Sequence, residues 1–404
     1  MLLRNRWVIL SIGMTAQVAS VGAMFGVPIV LPQLRQAFGV TTAQAGLLSG
    51  IPAFGLLLTL LLWGLVIDRV GERVTMALSL LLTAGALGVL WIVTGLWTAG
   101  AVLLLVGTVA GPVNAASGRL VLVWFAPHER GLAMGIRQSA FPLGVGLASL
   151  VLPTAADAWG FAGAMSLPAG LALLVTPLIL AIPSAPSAPV RTGRTEGGET
   201  RRIAADSGSP YRRWTIWRVH GASMLLGVAQ ITMMTYALIY LVEEQGWDPP
   251  AAGAVVALAQ IPGAGGRLLF GVWSDRMGDR MRPVRWLAAV ATCCLLLLSA
   301  LPAVWAWTAV PLVLACLSLT SWHNGLTFTS VAEIAGASWA GRALAVQNWL
   351  QGVSTTLTPV LMAAVITLAG LPAVFAASAM FSAAAIAVVP LTRRGLTTGE
   401  GRGR

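Results

Sequence analysis

Gly64-Leu65-Val66-Ile67-Asp68-Arg69-Val70-Gly71-Glu72-Arg73 lies where one apolar run ends and the next begins. The chain repeats it as Gly271-Val272-Trp273-Ser274-Asp275-Arg276-Met277-Gly278-Asp279-Arg280. Both copies read G-x-x-x-D-R-x-G-[DE]-R. They stand 207 residues apart in a chain of 404, so the motif marks the same place in two halves, as an internal repeat does. Other stretches keep nearly the same spacing. Arg130-Gly131-Leu132-Ala133-Met134-Gly135-Ile136-Arg137-Gln138 matches Ala340-Gly341-Arg342-Ala343-Leu344-Ala345-Val346-Gln347-Asn348 at an offset of 210, and Ala16-Gln17 matches Ala229-Gln230 at 213.

What is repeated follows from composition. Hydrophobic residues make up 57% of the chain and charged residues 10%, against about 25% charged in a soluble domain. Apolar runs of membrane-spanning length recur throughout, without the period-2 alternation of a barrel strand. A polytopic helical membrane protein is expected. Twelve spans are read, at residues 7–30, 43–67, 74–94, 99–123, 132–152, 161–182, 221–242, 252–273, 284–301, 307–330, 343–368 and 373–391. The first is too long for the apolar segment of a signal peptide, which runs ~7–15 residues. Residues 183–213 carry Pro, Ser, Gly and six arginines without apolar periodicity, and are expected to be a flexible cytoplasmic linker. The domains are then a six-helix bundle at 1–182, the linker, and a second bundle with a short tail at 214–404.

All 25 basic residues are Arg, and their placement sets the orientation. With the N-terminus inside, the inner segments hold Arg4, Arg6, Arg69, Arg73, Arg130, the linker arginines, Arg218, Arg276, Arg280, Arg282, Arg285, Arg342, Arg393, Arg394, Arg402 and Arg404. The outer loops hold Arg35 alone, with Asp157, Glu243, Glu244 and Asp248. Both termini are therefore expected in the cytoplasm. The net charge of +11 then faces the anionic leaflet rather than nucleic acid. Cys293, Cys294 and Cys316 lie in apolar runs without metal-like or disulfide spacing.

The duplicated loop motif, and Trp124-Phe125-Ala126-Pro127-His128-Glu129-Arg130-Gly131 at the entry to the fifth span, resemble signatures of the major facilitator superfamily. The resemblance extends over the whole chain in span count, linker position and topology. It implies two pseudo-twofold-related six-helix bundles, an all-α membrane fold, and a secondary transporter that exposes one central site alternately to each side.

The chemistry of the motif suits a gate. Gly64 and Gly271 allow close helix contact, and Gly71 and Gly278 permit a tight turn. Asp68 and Asp275 sit at helix C-termini, where the helix dipole disfavours an anion. Each calls for a cationic partner or a helix N-terminus, in a contact that can close the inner side and later break. Arg69, Arg73, Arg276 and Arg280 complete the gating set.

Substrate residues are sought among polar groups inside spans. The resemblance implies that spans 1, 4, 7 and 10 line the cavity, and polar stripes fall on all four. They bring in Gln17 on span 1, Asn114 on span 4, Gln230 and Tyr240 on span 7, and His323 and Asn324 on span 10. A single Ser or Thr in such a stripe more often bonds the preceding turn. Arg119, Arg137 and Arg267 are placed roughly 7–12 Å inside the cytoplasmic boundary at ~1.5 Å per residue, with no Asp or Glu expected at that depth. Such cations invite an anion, since guanidinium pairs bidentately with carboxylate or phosphate; the alternative is snorkelling to headgroups. Arg137 and Gln138 occupy the repeat positions of Gln347 and Asn348. Gly265-Gly266-Arg267-Leu268-Leu269-Phe270-Gly271 is similar to the eighth span of carboxylate carriers in the superfamily, which implies that Arg267 engages the anion.

The expected function is transport of a small organic or inorganic anion. The alternative is export of hydrophobic drugs. The resemblance implies for drug/proton antiporters an intramembrane acid, an Arg early in span 4 and a Gly-Pro element in span 5; the missing Arg and the degraded element at Phe141-Pro142 count against export of cations, while neutral drugs need no acid. A sensor would need an output domain, and an enzyme would need a catalytic constellation; the three His are scattered. No nucleotide-binding loop or metal motif is present, so no ATP and no cofactor is expected beyond a coupling proton, for which His323 is the mid-span candidate. The expected partners are a small-molecule substrate and the lipid bilayer, with the protein a monomer in the plasma membrane.

Overall fold

In the computed structural model the apolar runs are helical. The structure describes residues 5–183, 192–194, 200–202, 209–300 and 305–390. Arg4, Arg191, Arg393, Arg394, Arg402 and Arg404, most of the expected linker and the C-terminal tail lie outside the described residues. By proximity the chain forms two compact units. One contains Met1–Arg212 with Val331–Val353, and the other Arg213–Ser330 with Ser354–Arg404. Val331–Val353 was expected with the second half and instead packs with the first unit.

The first unit is built from α1 (Arg6–Phe25), α2 (Leu31–Phe38), α3 (Thr42–Val70), α4 (Glu72–Val89), α5 (Leu96–Ala110), α6 (Pro112–Trp124), α7 (Arg130–Gln138) and α8 (Ala140–Leu180). Here α1 and α4 pack on α8, and α3 packs on α5. Helix starts follow local chemistry. Asn5 accepts from the Trp7 N–H at 2.9 Å to begin α1. Thr41 and Gln44 cap each other at the head of α3, through bonds of 3.3 and 2.9 Å, the reciprocal box that satisfies orphan N–H groups. The second unit holds α9 (Trp214–Glu243), α10 (Pro249–Leu258), α11 (Gln260–Met277), α12 (Met281–Ala300), α13 (Ala309–Leu319) and α16 (Ala373–Val388). Two helices run across the division: α14 (His323–Ala335) and α15 (Ala340–Ala369).

Among the described residues, ten stretches are long and apolar enough to cross a membrane by length and composition, and Ala373–Val388 is a shorter apolar helix. Ile92, Leu150, Leu174 and Leu368 are each more than 70% exposed, a bare aliphatic exterior that fits lipid rather than water. Several expected spans are broken. The first leaves the helix at Phe25 for a 3-10 turn at Val27–Val30, because Pro28 and Pro32 lack the N–H groups that would continue it. Span 4 divides into α5 and α6 at Gly111-Pro112, and span 10 divides into α13 and α14 around Thr320–Trp322. Spans 5 and 6 merge along α8, which turns at Gly160 with φ 70°. The linker was expected to lack regular structure; its described part holds an antiparallel ribbon, Thr192–Arg194 against Thr200–Arg202.

Candidate functional site

The turn between α3 and α4 places the first loop motif. Gly71 takes φ 87° there, a conformation costly to residues with a Cβ. Asp68, one turn earlier, meets the first turn of α15. Its Oδ1 accepts from the Gly341 N–H at 2.7 Å, and its Oδ2 accepts from the Arg342 N–H at 3.1 Å and the Arg342 Nε–H at 2.6 Å. The two backbone donors belong to a helix start, where N–H groups lack intrahelical partners and the dipole favours an anion. Glycine makes the approach possible. A Cβ on Gly341 would stand 2.6 Å from Asp68 Oδ1, and one on Gly64 would stand 2.7 Å from the Ala345 Cβ.

Around this contact, the Arg342 guanidinium lies over the Trp339 ring, 3.4 Å from its centroid, and Tyr211 meets the same ring edge-on at 6.5 Å. Burial pushes the Tyr211 phenol well above its ordinary range, with Arg342 opposing and Asp68 reinforcing the shift. Arg73 donates to the Ile182 carbonyl at 2.9 Å, tying the motif to the residue before the linker. In the second copy, Gly278 also turns with positive φ (64°). Asp275 pairs with Arg280, which also donates to Ser274 Oγ at 3.0 Å. Arg69 and Arg276, at matching positions, are exposed.

Deeper in the first unit, α1, α6, α7 and α15 bring together Gln17, Asn114, Ser117, Arg137 and Asn348. Arg137 is 0% exposed. Its Nη1 donates to the Asn114 carbonyl and Asn114 Oδ1, each at 2.8 Å, to Ser117 Oγ at 3.0 Å and to Gln17 Oε1 at 3.4 Å. Gln17 Nε2 donates to Asn114 Oδ1 at 3.1 Å, and Asn114 Nδ2 to Asn348 Oδ1 at 2.5 Å. Every acceptor in this set is neutral, so these bonds hold the guanidinium with dipoles.

The second unit repeats part of this arrangement. Asn324 Nδ2 donates to Gln230 Oε1 at 2.9 Å, as Gln17 pairs with Asn114. Thr327 Oγ1 donates to the Asn324 carbonyl at 3.1 Å, as Ser117 does to Asn114 at 3.0 Å. Asn114 and Asn324, and Ser117 and Thr327, are each 210 residues apart. The interrupted helices match as well, since both Asn residues follow the breaks at Gly111 and Thr320–Trp322. The broken turn in span 10 is fastened to α11. Trp322 Nε1 donates to the Pro262 carbonyl at 3.0 Å and Arg267 Nε donates to the Ser321 carbonyl at 3.2 Å. The Trp322 indole lies on Gly266, where any Cβ would collide with it. His323 opens α14 with its Nδ1 2.8 Å from the Thr320 carbonyl.

Two expectations change. Arg119 was read as an intramembrane cation without a carboxylate; it joins the loop motif, 2.8 Å from Glu72 Oε2 and 3.0 Å from the Ile67 carbonyl. The reach of an Arg side chain along α6 brings it to Glu72, a residue counted as part of the loop. Tyr240 was read as facing the cavity with Gln230. It lies in an apolar cluster, edge-on to Phe375 at 5.0 Å, its hydroxyl accepting from Gln245 at 3.1 Å. Thr320 bonds back to the Cys316 carbonyl at 2.7 Å, the ordinary outcome for a helical Thr. Gln347 is buried in the first unit. Ser117 and Ser321 were missed. Ser117 carried a readable signal, its position one turn after Asn114; Ser321 contributes its backbone carbonyl, which residue type does not reveal.

Comparison with known proteins bears on what these clusters belong to. Residues 13–359 match the family model described as Major Facilitator Superfamily. The chain is 39% identical over 387 residues to the uncharacterized MFS-type transporter Rv2994 of Mycobacterium tuberculosis, covering 96% of this chain and 85% of that protein. It is 30% identical over 277 residues to the probable sulfoacetate transporter SauU of Cupriavidus necator, covering 64% of this chain and 62% of that one. The E. coli fucose:proton symporter FucP superposes with a TM-score of 0.73 at 17% identity, covering 95% of this chain and 98% of that one, a likeness of fold.

Proposed function

The chain belongs to the major facilitator superfamily of multi-pass membrane transporters, and on that premise we propose that it carries a small anion by alternating access. The observation that carries the reading is the company kept by its intramembrane arginines. Arg137 is held by amide and hydroxyl oxygens, and Arg267 is held by a backbone carbonyl. Positive charge sustained by neutral dipoles inside a membrane span is costly and is complementary to an anionic solute. The similarity to a probable sulfoacetate transporter supports an anionic cargo.

In this proposal Arg267, Arg137, Gln17, Asn114, Gln230, His323, Asn324, Gln347 and Asn348 serve the substrate. The Asp68 contact with the start of α15 is the inner gate, stable while closed because a helix start and a guanidinium both answer the carboxylate. Twelve spans in two six-helix bundles, joined by residues 183–213 with both termini cytoplasmic, give the arrangement that alternating access requires. Transport is driven by an ion or substrate gradient, with a proton as the coupling ion.

The test is uptake into proteoliposomes of a panel of carboxylates, sulfonates and phosphates by the purified full chain. Uptake of whichever anion the wild type accumulates is expected to be abolished by Arg267→Ala. Undiminished uptake by that variant, or wild-type accumulation of neutral or cationic compounds alone, overturns the anion reading.

A further inference from the structure

The break in span 10 holds His323, which the anion reading places with the substrate without naming the bond it makes. His323 is 1% exposed, and its Nδ1 lies 2.8 Å from the Thr320 carbonyl. A carbonyl can only accept, so Nδ1 carries the proton and the neutral ring presents a lone pair at Nε2. That Nε2 is shut off from solvent and has no hydrogen-bond partner among the described residues. Buried acceptors are nearly always satisfied, and one that is not asks for an explanation.

Its surroundings point to one. His323 is the first residue of α14, a helix of 13 residues, and the dipole of a helix start favours a negative group at this end. Arg267, bonded to the carbonyl two residues earlier, is the charged group that acts on the imidazole electrostatically. Trp322, seated on Gly266 and stacked near Phe270 at 5.1 Å, fixes the turn that carries both. The break therefore sets a cation and a helix start, both suited to a negative group, near one acceptor at Nε2.

We propose that His323 Nε2 accepts a hydrogen bond from a hydroxyl of the bound anion, so that this carrier takes hydroxy acids in preference to their deoxy counterparts. The proposal rests on the anion reading above and sharpens it. An anion without a donor leaves Nε2 unsatisfied in the loaded site, and a hydroxyl close to the carboxylate satisfies it. A site built around such a group rejects ligands that lack its complement.

The experiment measures thermal stabilisation of the purified full chain by matched pairs: malate against succinate, lactate against propionate, galactarate against adipate. Each is tested on wild type, His323→Leu and His323→Gln. The wild type is expected to prefer the hydroxy member by roughly tenfold or more in apparent Kd, the size of one net hydrogen bond in a buried site. In His323→Leu that ratio falls toward one, and in His323→Gln, whose amide oxygen can stand near the place of Nε2, it recovers in part. Should His323→Leu fail to fold, the wild-type ratio and the His323→Gln ratio still decide. Equal binding of both members of every pair by wild type overturns the hydroxyl inference and leaves the anion reading standing. A wild-type preference that survives in His323→Leu removes His323 from it. A variant that loses only the pH dependence of binding makes Nε2 a proton site, which also overturns the proposal. Absence of binding by every anion, hydroxylated or not, removes the anion reading beneath it.

Discussion

At the scale of single residues the chain is governed by how it satisfies polar groups where no water can do so. Asn114 is the busiest of them. Its two oxygens both receive Arg137, its amide nitrogen donates to Asn348, and Gln17 donates to its Oδ1. Leucine in its place keeps the bulk and the backbone carbonyl but removes Oδ1 from a buried cation. Hydrogen bonds to charged groups contribute about 1.5–3 kcal/mol, so Asn114→Leu is expected to destabilise the protein by about that amount, read as a lower unfolding midpoint in detergent. The serine neighbour, Ser117→Ala, should cost less, since Asn114 still holds the guanidinium; an equal loss in both variants would contradict this ranking. Gln17, Asn114 and Arg137 were legible as candidates because polar side chains in a span are expensive. Their mutual contact was not, because it depends on how far each helix is rotated about its axis. The pairing of Asn114 with Asn324 at the repeat offset was present in the sequence and is what carries the Gln–Asn arrangement from one unit to the other.

Helices and turns set the next scale, and here the decisive contact joins a loop to a helix start. The loop motif announced that Asp68 needed a positive partner, and the dipole argument named a helix N-terminus as one solution. The sequence did not identify that helix as α15, because Gly341 and Arg342 look like ordinary span-entry residues until their N–H groups are seen on the carboxylate. Arg119 was misread for a related reason: counting residues along α6 gives its depth, whereas its side chain reaches back to Glu72. If the Asp68 contact closes the inner side, two substitutions should weaken it by different routes. Asp68→Asn retains the shape and removes the charge. Gly341→Ala retains the charge and inserts a methyl 2.6 Å from Oδ1. Both are expected to slow transport while leaving the preference among substrates unchanged, and both should raise the reactivity of a cysteine placed at Ala345, which faces Gly64 across the contact. Slowed transport without increased reactivity at Ala345 would mean that the contact serves folding rather than gating.

The molecule as a whole poses a question of parity. Among the described residues, ten stretches qualify as spans by length and composition, with Pro127–Leu180 counted once and Ala373–Val388 not counted. If Pro127–Leu180 crosses twice, turning at Gly160, the linker returns to the side of the N-terminus; if it crosses once, the linker lies opposite. Length favours two crossings, since its 54 residues are more than twice the ~20 that a bilayer needs. Charge favours the same answer: the turn near Gly160 carries Asp157 and no arginine, while residues 183–213 carry six, and arginine is retained on the cytoplasmic side. The prediction can be put to single cysteines in a background where Cys293, Cys294 and Cys316 are replaced by alanine. In right-side-out vesicles an impermeant maleimide is expected to label Ala158→Cys, whose position is exposed, and to spare Ser187→Cys in the linker. In inside-out vesicles the pattern should invert. Labelling of both positions from the same face would leave Pro127–Leu180 as a single crossing, and with it would go the matched six-helix halves that alternating access demands.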